Sequence, residues 1–474
     1  MTFQSIEYLI FFPIVFLLYW FLGQKSKAIQ NTIIVIASLI FYGWWDWRFL
    51  GLLLFTAFSS YVAGLLMGGK TLSNNKRKFI STISIILNLG ILFICKYFNF
   101  FIDSFGDLST LFGAKPTVST LKIILPVGIS FYTFSALSYS IDVYQRQVPP
   151  TKDLLAYLAY VMFFPSILSG PISRAEKQLP QYLITRTFDR DRAIAGCVSI
   201  LWGALMKLCL ADRLGIYVDA VYANVSQHNG TTLLFASILY TIQIYADFAG
   251  YSLMAIGCGR LLGIELQTNF IRPYFATTIK DFWRRWHVSL TTWLRDYIYF
   301  PLGGNRCSKI RWIVNTLIVF VVSGLWHGAA YAFLIWGLLH GMAMVIERFL
   351  YGERLKYLSD KLSLCSISRW VVIFMFVNIA WIPFRVNDLN EVKVILSKIC
   401  FEPGKPFLDI NTLVMGAIAF LVVFIHDLVE EKGYNDFLLQ SNNRFIRYMS
   451  ASLIICYILA FGVLNGGSFI YFQF

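Results

Sequence analysis

Long apolar stretches alternate with short polar ones along the whole chain. A helix in lipid must satisfy all its own backbone hydrogen bonds, so each run of about 17–25 apolar residues predicts a membrane-crossing helix. The clear runs are 6–23, 30–46, 48–67, 79–102, 120–144, 193–221, 232–262, 312–346, 370–384, 411–427 and 448–465. They predict an all-α polytopic membrane protein of about ten or eleven spans with little soluble mass. The first run has Gln4 and Glu7 at its start instead of basic residues, and no small-residue cleavage site follows it. It therefore reads as a first span rather than a removed signal peptide. No repeat, low-complexity tract or Pro/Gly linker divides the chain, so residues 1–474 are expected to form one membrane domain.

Composition agrees with this pattern and removes several classes of function. The 474 residues are 57% hydrophobic, 17% aromatic and 14% charged, with a mean hydropathy of +0.63. A soluble domain carries about 25% charged residues. A soluble enzyme, a disordered chain and a nucleic-acid-binding domain are excluded, and the expected surroundings are membrane lipids. In such a chain the net charge of +14 is first a matter of topology, because basic residues collect in cytoplasmic loops. Lys25 and Lys27 follow the first run, and Lys70, Lys76, Arg77 and Lys78 follow the third. The loop 222–231 and the tail 464–474 carry no charge. Both termini are accordingly expected outside the cytoplasm.

Two segments complicate the alternation. The stretch 154–173 has Arg146 and Lys152 before it and Arg174, Lys177, Arg186, Arg190 and Arg192 after it, with Pro165, Gly170 and Pro171 inside. Basic flanks on both sides and internal breakers fit a re-entrant segment, tolerated at membrane depth only where protein or a cavity surrounds it; a complete span is the alternative. Residues 385–410 count as extracytoplasmic although they hold Arg385, Lys393, Lys398 and Lys405.

Candidate chemistry is sparse. The eight cysteines form no CxxC pair, so neither a disulfide framework nor a metal site is expected. No GxSxG elbow, Walker loop, HExxH or dinucleotide fingerprint occurs in a strand-to-helix setting, and GCGRLLG at 257–263 is a weak signal. Of five histidines, His327 lies deep in an apolar run beside Gly324 and Gly328. An ionisable group at that depth is a functional candidate, and burial favours the neutral imidazole that can accept a proton; a core histidine bonded to a neighbouring helix is the alternative. His287 sits in 281–306, where Asp281, Arg284, Arg285, Arg295, Asp296 and Arg306 alternate with Trp283, Trp286 and Trp293. That pattern suits an amphipathic helix at the membrane interface, or a basic cytoplasmic vestibule for the phosphates of an anionic donor, with Arg284, Arg285, Trp286, Arg295 and Asp296 as its contacts. Asp247, a carboxylate within a span, is expected to pair with an arginine of that segment or to serve as a relay. His340 reads as structural, and His228 and His426 attract no role.

Five segments together carry a family resemblance: LPVGISFYTFSALSYSIDVY (125–144), FFPSILSGPISR (163–174), YADFAGYSLMAIG (245–257), DFWRRWHVSLTTWLRDYIYFPLGGNR (281–306) and SGLWHGAAYAFLIWGLLHG (323–341). They closely resemble the bacterial membrane-bound O-acyltransferases (MBOAT) of the alginate O-acetylase and peptidoglycan O-acetyltransferase type. The resemblance implies a ring of helices, with re-entrant and interfacial helices, around a central tunnel where cytoplasmic donor and extracytoplasmic acceptor meet. It places the catalytic core at 120–346, makes His327 the essential buried histidine and His287 the second catalytic position, and locates the protein in a bacterial cell membrane. It further implies acetyl-CoA as acetyl donor with no bound cofactor, an exopolysaccharide or peptidoglycan acceptor, and an extracytoplasmic SGNH-type acetyltransferase as partner. The ending GGSFIYFQF matches the FxYxxF tail of such export systems through Phe469, Tyr471 and Phe474. Tyr471 is then a candidate acyl relay, against an aromatic membrane-belt tail. D-alanyl transfer to teichoic acid is the competing activity within the family. A polysaccharide or proton-coupled transporter is the competing class, which the lack of paired broken repeats disfavours.

Overall fold

A computed structural model describes residues 1–69, 72–113, 120, 124–352, 364–434, 436–464 and 469–470. Every regular element among them is helical. The chain forms two compact units, Met1–Ile200 with Met254–Gln267, and Leu201–Leu253 with Thr268–Phe474.

In the first unit, α1 (Ile6–Gly23), α2 (Lys27–Asp46) and α3 (Leu50–Met67) precede α4 (Asn74–Leu92), which runs through a π-helical turn into α5 (Phe98–Leu111). Serine side chains open three of these helices: Ser5, Ser26 and Ser73 cap the first turns of α1, α2 and α4, accepting amides that a helix start leaves without partners. Next come α6 (Ile129–Tyr144), α7 (Leu154–Val161), α8 (Phe164–Ile167), α9 (Ala175–Tyr182) and α10 (Arg190–Ala204).

The apolar stretch 154–173 is broken. Asp153 caps α7 through the Ala156 amide at 3.0 Å and is itself held by Lys27 at 3.0 Å. The helix stops after 8 residues; the short α8 follows with proline in its first turn, where a missing N–H costs nothing. Residues 156–173 are all buried, and side chains satisfy the irregular backbone. The Phe164 amide donates to Ser38 Oγ at 3.1 Å, and the Tyr160 hydroxyl lies 2.9 Å from the Ser135 carbonyl and 3.2 Å from that of Ser173. This is the enclosure that non-helical backbone needs at membrane depth.

The second unit opens with a π-helical turn, Leu205–Ala211, leading into α11 (Asp212–Tyr222), and includes α12 (Gly230–Leu261) as far as Leu253. It continues with α13 (Ile279–Arg285), α14 (Val288–Leu294), α15 (Lys309–His327), α16 (Tyr331–Tyr351), α17 (Leu364–Arg385), α18 (Leu389–Phe401), α19 (Ile410–Glu431) and α20 (Arg444–Phe461).

Here the expectations need two corrections. The run 312–346 is not one element: as a single helix it would extend roughly 52 Å, far beyond a hydrocarbon core of about 30 Å. It is the hairpin of α15 and α16, which turns at Gly328. The two helices cross at glycines, since a Cβ on Gly324 would strike the Phe333 carbonyl and one on Gly337 the Phe320 carbonyl. The segment 281–306, expected as one amphipathic interfacial helix, is α13 and α14 broken at Trp286 and His287. Adjacent helical residues point about 100° apart; here Trp286 and His287 are both fully buried, 0% exposed, and the break allows it.

The loop before α12 and the loop after α18 are tied together. Lys398 Nζ donates to the carbonyls of Val225, Ser226 and His228 at 2.8–3.2 Å, Asn229 Nδ2 to the Lys405 carbonyl at 2.7 Å, and the Gly230 amide to that of Glu402 at 2.7 Å. Uncharged 222–231 and basic 398–407 therefore share one face, and Lys398 is spent on loop carbonyls. Among the described residues 10 helical stretches are long and apolar enough to cross a membrane.

Candidate active site

The site grows from the break between α13 and α14. Thr278 caps α13 through the Asp281 amide at 3.0 Å, and the Glu347 carboxylate of α16 accepts the amides of Ile279 at 2.6 Å and Lys280 at 3.0 Å. The chain leaves the helix at Trp286, and His287 adopts a left-handed backbone with φ 42°, a strained conformation for a residue with a side chain. Two backbone bonds brace the turn from outside, Ile271 N–H to the Arg285 carbonyl and Val288 N–H to the Asn269 carbonyl, both 2.9 Å.

Asn269 determines what the His287 ring can do. The Ser289 backbone amide, which can only donate, faces Asn269 Oδ1 at 3.3 Å, so that atom is the carbonyl oxygen and the amide orientation follows. Asn269 Nδ2 accordingly donates to Ser252 Oγ at 3.1 Å, and the Ser289 hydroxyl donates to Oδ1 at 2.9 Å. His287 Nδ1 lies 3.0 Å from the same oxygen, so Nδ1 carries the proton. Burial pushes the imidazole down to about 3, which keeps it neutral at physiological pH. A neutral ring with its proton on Nδ1 presents Nε2 as an acceptor.

His327 is brought to this ring from 40 positions along the chain. It ends α15 and is 2% exposed. The two imidazole centres stand 6.3 Å apart, a separation at which one small polar group can meet both. Trp326 borders both rings, at 5.6 Å from His287 and 4.9 Å from His327, and Trp336 and Phe384 close the far side of His327 at 5.0 and 5.1 Å. Phe248 stands edge-on to His287 at 4.7 Å. A helix C-terminus favours a cation, so the position of His327 suits a base that becomes positive on taking a proton. The aromatic walls exclude water from the pair.

The family-model match decides the identity: the membrane-bound O-acyltransferase (MBOAT) model matches residues 39–382. The chain belongs to this family. It is a multi-pass membrane acyltransferase, and both histidines fall within the matched region. Among its relatives, the "Probable alginate O-acetylase AlgI" of Pseudomonas aeruginosa is 38% identical over 82% of this chain and 73% of its own length. The peptidoglycan O-acetyltransferase of Helicobacter pylori is 33% identical over 81% of this chain and 77% of its own. The teichoic acid D-alanyltransferase of Bacillus subtilis is 29% identical over 54% of this chain and 66% of its own.

The remaining candidates of this acyltransferase scatter. Arg284 is exposed, but Arg285 is held by Asp281 and Glu431, each at 2.8 Å, in a cluster that Arg272 extends to Glu430 and Glu431 at 2.9 Å. Trp286 is wholly inside, packed on Phe270, Phe282 and Trp381, so it shapes the core beside His287 rather than an entry surface. Arg295 and Asp296 pair with each other at 2.7 Å. Asp247 does not pair with an arginine of 281–306, as expected; it meets Lys207 at 2.5 Å. The reason is packing: a Cβ on Gly250 would strike the Gly203 carbonyl, and this close approach sets the Lys207 turn against α12. Tyr471 and Phe474 lie outside the described residues.

Reasoning from the sequence missed Asn269 and Lys207. Lys207 had a signal, a basic residue inside the run 193–221. Asn269 had none, since an asparagine in a polar linker looks like any loop residue.

Proposed function

We propose that the protein transfers an acetyl group from a cytoplasmic thioester, acetyl-CoA, to hydroxyls of an extracytoplasmic polysaccharide, an alginate-like exopolymer or peptidoglycan. The observation that carries this reading is the enclosed His287–His327 pair, with the His287 tautomer fixed by Asn269. The similarity to two O-acetyltransferases, over 82% and 81% of this chain, favours acetyl over D-alanyl transfer, for which the similarity covers 54%.

The attacking hydroxyl hydrogen-bonds to His287 Nε2 or His327, and its oxygen adds to the thioester carbonyl as neutral His327 takes the proton. The carbon–sulfur bond breaks, the imidazolium returns its proton to the departing thiolate, and the products are an O-acetyl ester and a free thiol. General-base assistance of this kind is worth about 10²–10⁴-fold. In this reading Tyr471 is the first acceptor, whose phenol ester passes the acetyl group to an SGNH-type acetyltransferase outside the bacterial membrane. In this reading exposed Arg284 and the Arg295–Asp296 pair receive the donor's phosphates.

The test is transfer of labelled acetyl from its CoA thioester by the purified protein in vesicles, with alginate or peptidoglycan fragments and the partner enzyme outside. Label in the polymer is the expected result, and its absence from both polymers overturns the reading. Unchanged surface acetylation in cells carrying Tyr471→Phe overturns the relay.

A further inference from the structure

Phe469 and Ile470, among the described residues, make a buried contact that the acyl-transfer chemistry does not use. Phe469 and Ile470 are 1% and 6% exposed. The Ile470 backbone amide donates to Asp247 Oδ2 at 2.8 Å, while Asp247 Oδ1 meets Lys207 Nζ at 2.5 Å. Lys207 also donates to Asp212 at 2.7 Å. All three side chains are 2–6% exposed, so one cation and two carboxylates lie inside the protein within membrane-spanning helices. Ionisable groups at that depth are costly to bury, which makes the cluster a candidate functional element.

The neighbouring rings say what the element is for. Phe469 packs against Phe248 at 5.5 Å and Tyr251 at 4.7 Å, and Phe248 is the ring that stands 4.7 Å from His287. Residues 469–470 thus lie one aromatic ring away from His287. A carboxylate oriented by Lys207 grips a backbone amide through a charge-assisted bond. It reads register along the tail rather than a side chain, and the Phe248–Tyr251 cleft supplies the side-chain selectivity.

We propose that the Lys207–Asp247 pair is a clamp for the chain's own C-terminal segment, and that both are positioning residues that set where the tail meets the catalytic site. The proposal rests on the reading that the tail takes part in acyl transfer. The test uses the full-length protein in nanodiscs. Asp247→Asn removes the charge at constant size, and Ile470→Pro removes the donated amide without touching either member of the ion pair, with Ile470→Val and Ile470→Ala as controls for the buried side chain. Hydrogen exchange of the Ile470 amide is expected to quicken at least tenfold in Asp247→Asn. In Asp247→Asn and in Ile470→Pro kcat for acetyl transfer is expected to fall about tenfold with the KM for the thioester unchanged. Because Asp247 acts through that amide, the double variant is expected to lose no more than either single one. Unchanged Ile470 exchange in Asp247→Asn, or losses that multiply in the double variant, overturn the clamp. Faster exchange with unaltered kcat overturns the positioning role. The relay is judged separately: loss of transfer in Tyr471→Phe with Ile470 still protected leaves the clamp standing, and full activity of that variant sinks the relay alone.

Discussion

Replacing Asn269 by leucine, similar in volume, tests the assignment of the His287 tautomer. Asn269 Oδ1 accepts from three buried donors, His287 Nδ1 at 3.0 Å, Ser289 Oγ at 2.9 Å and Ser289 N at 3.3 Å. The side chain is 1% exposed, so water cannot readily replace it. A buried donor left without an acceptor costs about 1–3 kcal/mol. The Ser289 hydroxyl can rotate away, which leaves roughly two such penalties, about 2–6 kcal/mol, divided between stability and catalysis. The catalytic share comes from His287. Without the fixed acceptor the ring can carry its proton on either nitrogen and turn, and the loss of one orienting bond of about 1–3 kcal/mol is about 5–150-fold in kcat. The assay is steady-state acetyl transfer alongside thermal unfolding. Asn269→Leu is expected to lower both kcat and the melting temperature, while Asn269→Asp, which keeps an acceptor, raises the His287 pKa from about 3 by about 1–3 units and brings an acid limb into the pH–rate profile. An Asn269→Leu protein with kcat within twofold of wild type would refute the reasoning.

Two further outcomes follow from the same geometry. The Glu347 carboxylate accepts the first two amides of α13 at 2.6 and 3.0 Å, so Glu347→Gln, which offers one acceptor oxygen, is expected to destabilise the protein by about 1–3 kcal/mol and to lower kcat by loosening the turn at His287; an unshifted melting temperature would contradict this. His287 titrates near 3 in the fold against 6.5 in the unfolded chain, so between those values the unfolded state binds more protons. Its contribution is complete above about pH 6.5 and is lost as pH falls, by up to about 1.4 kcal/mol per unit. Unfolding measured from pH 7 to 5 is expected to show this slope, and His287→Gln to flatten it.

Most of the helical framework was legible because lipid imposes one rule, continuous apolar length, and 10 stretches obey it. The break at 154–173 was legible too, because Pro165, Gly170 and the basic flanks are all local signals. The histidines stood out because so few ionisable groups occur in apolar surroundings. What escaped depended on pairing across the sequence. The hinge at His287 arises from burying two adjacent side chains, a tertiary demand that the charge pattern of 281–306 conceals. Asp247 was recognised as a buried charge, yet its partner followed from the close approach at Gly250 and not from the nearest arginines. Asn269 acquires meaning only when its linker lies against residues 287–289.

The central claim is that one buried histidine takes the proton from the attacking hydroxyl. The most direct measurement is turnover of labelled acetyl thioester to ester by purified wild type and His327→Ala at equal folded concentration. The account predicts that His327→Ala loses at least about a hundredfold in kcat while its melting temperature and thioester binding stay near wild type. A His327→Ala protein that still turns over within about fivefold of wild type would contradict it.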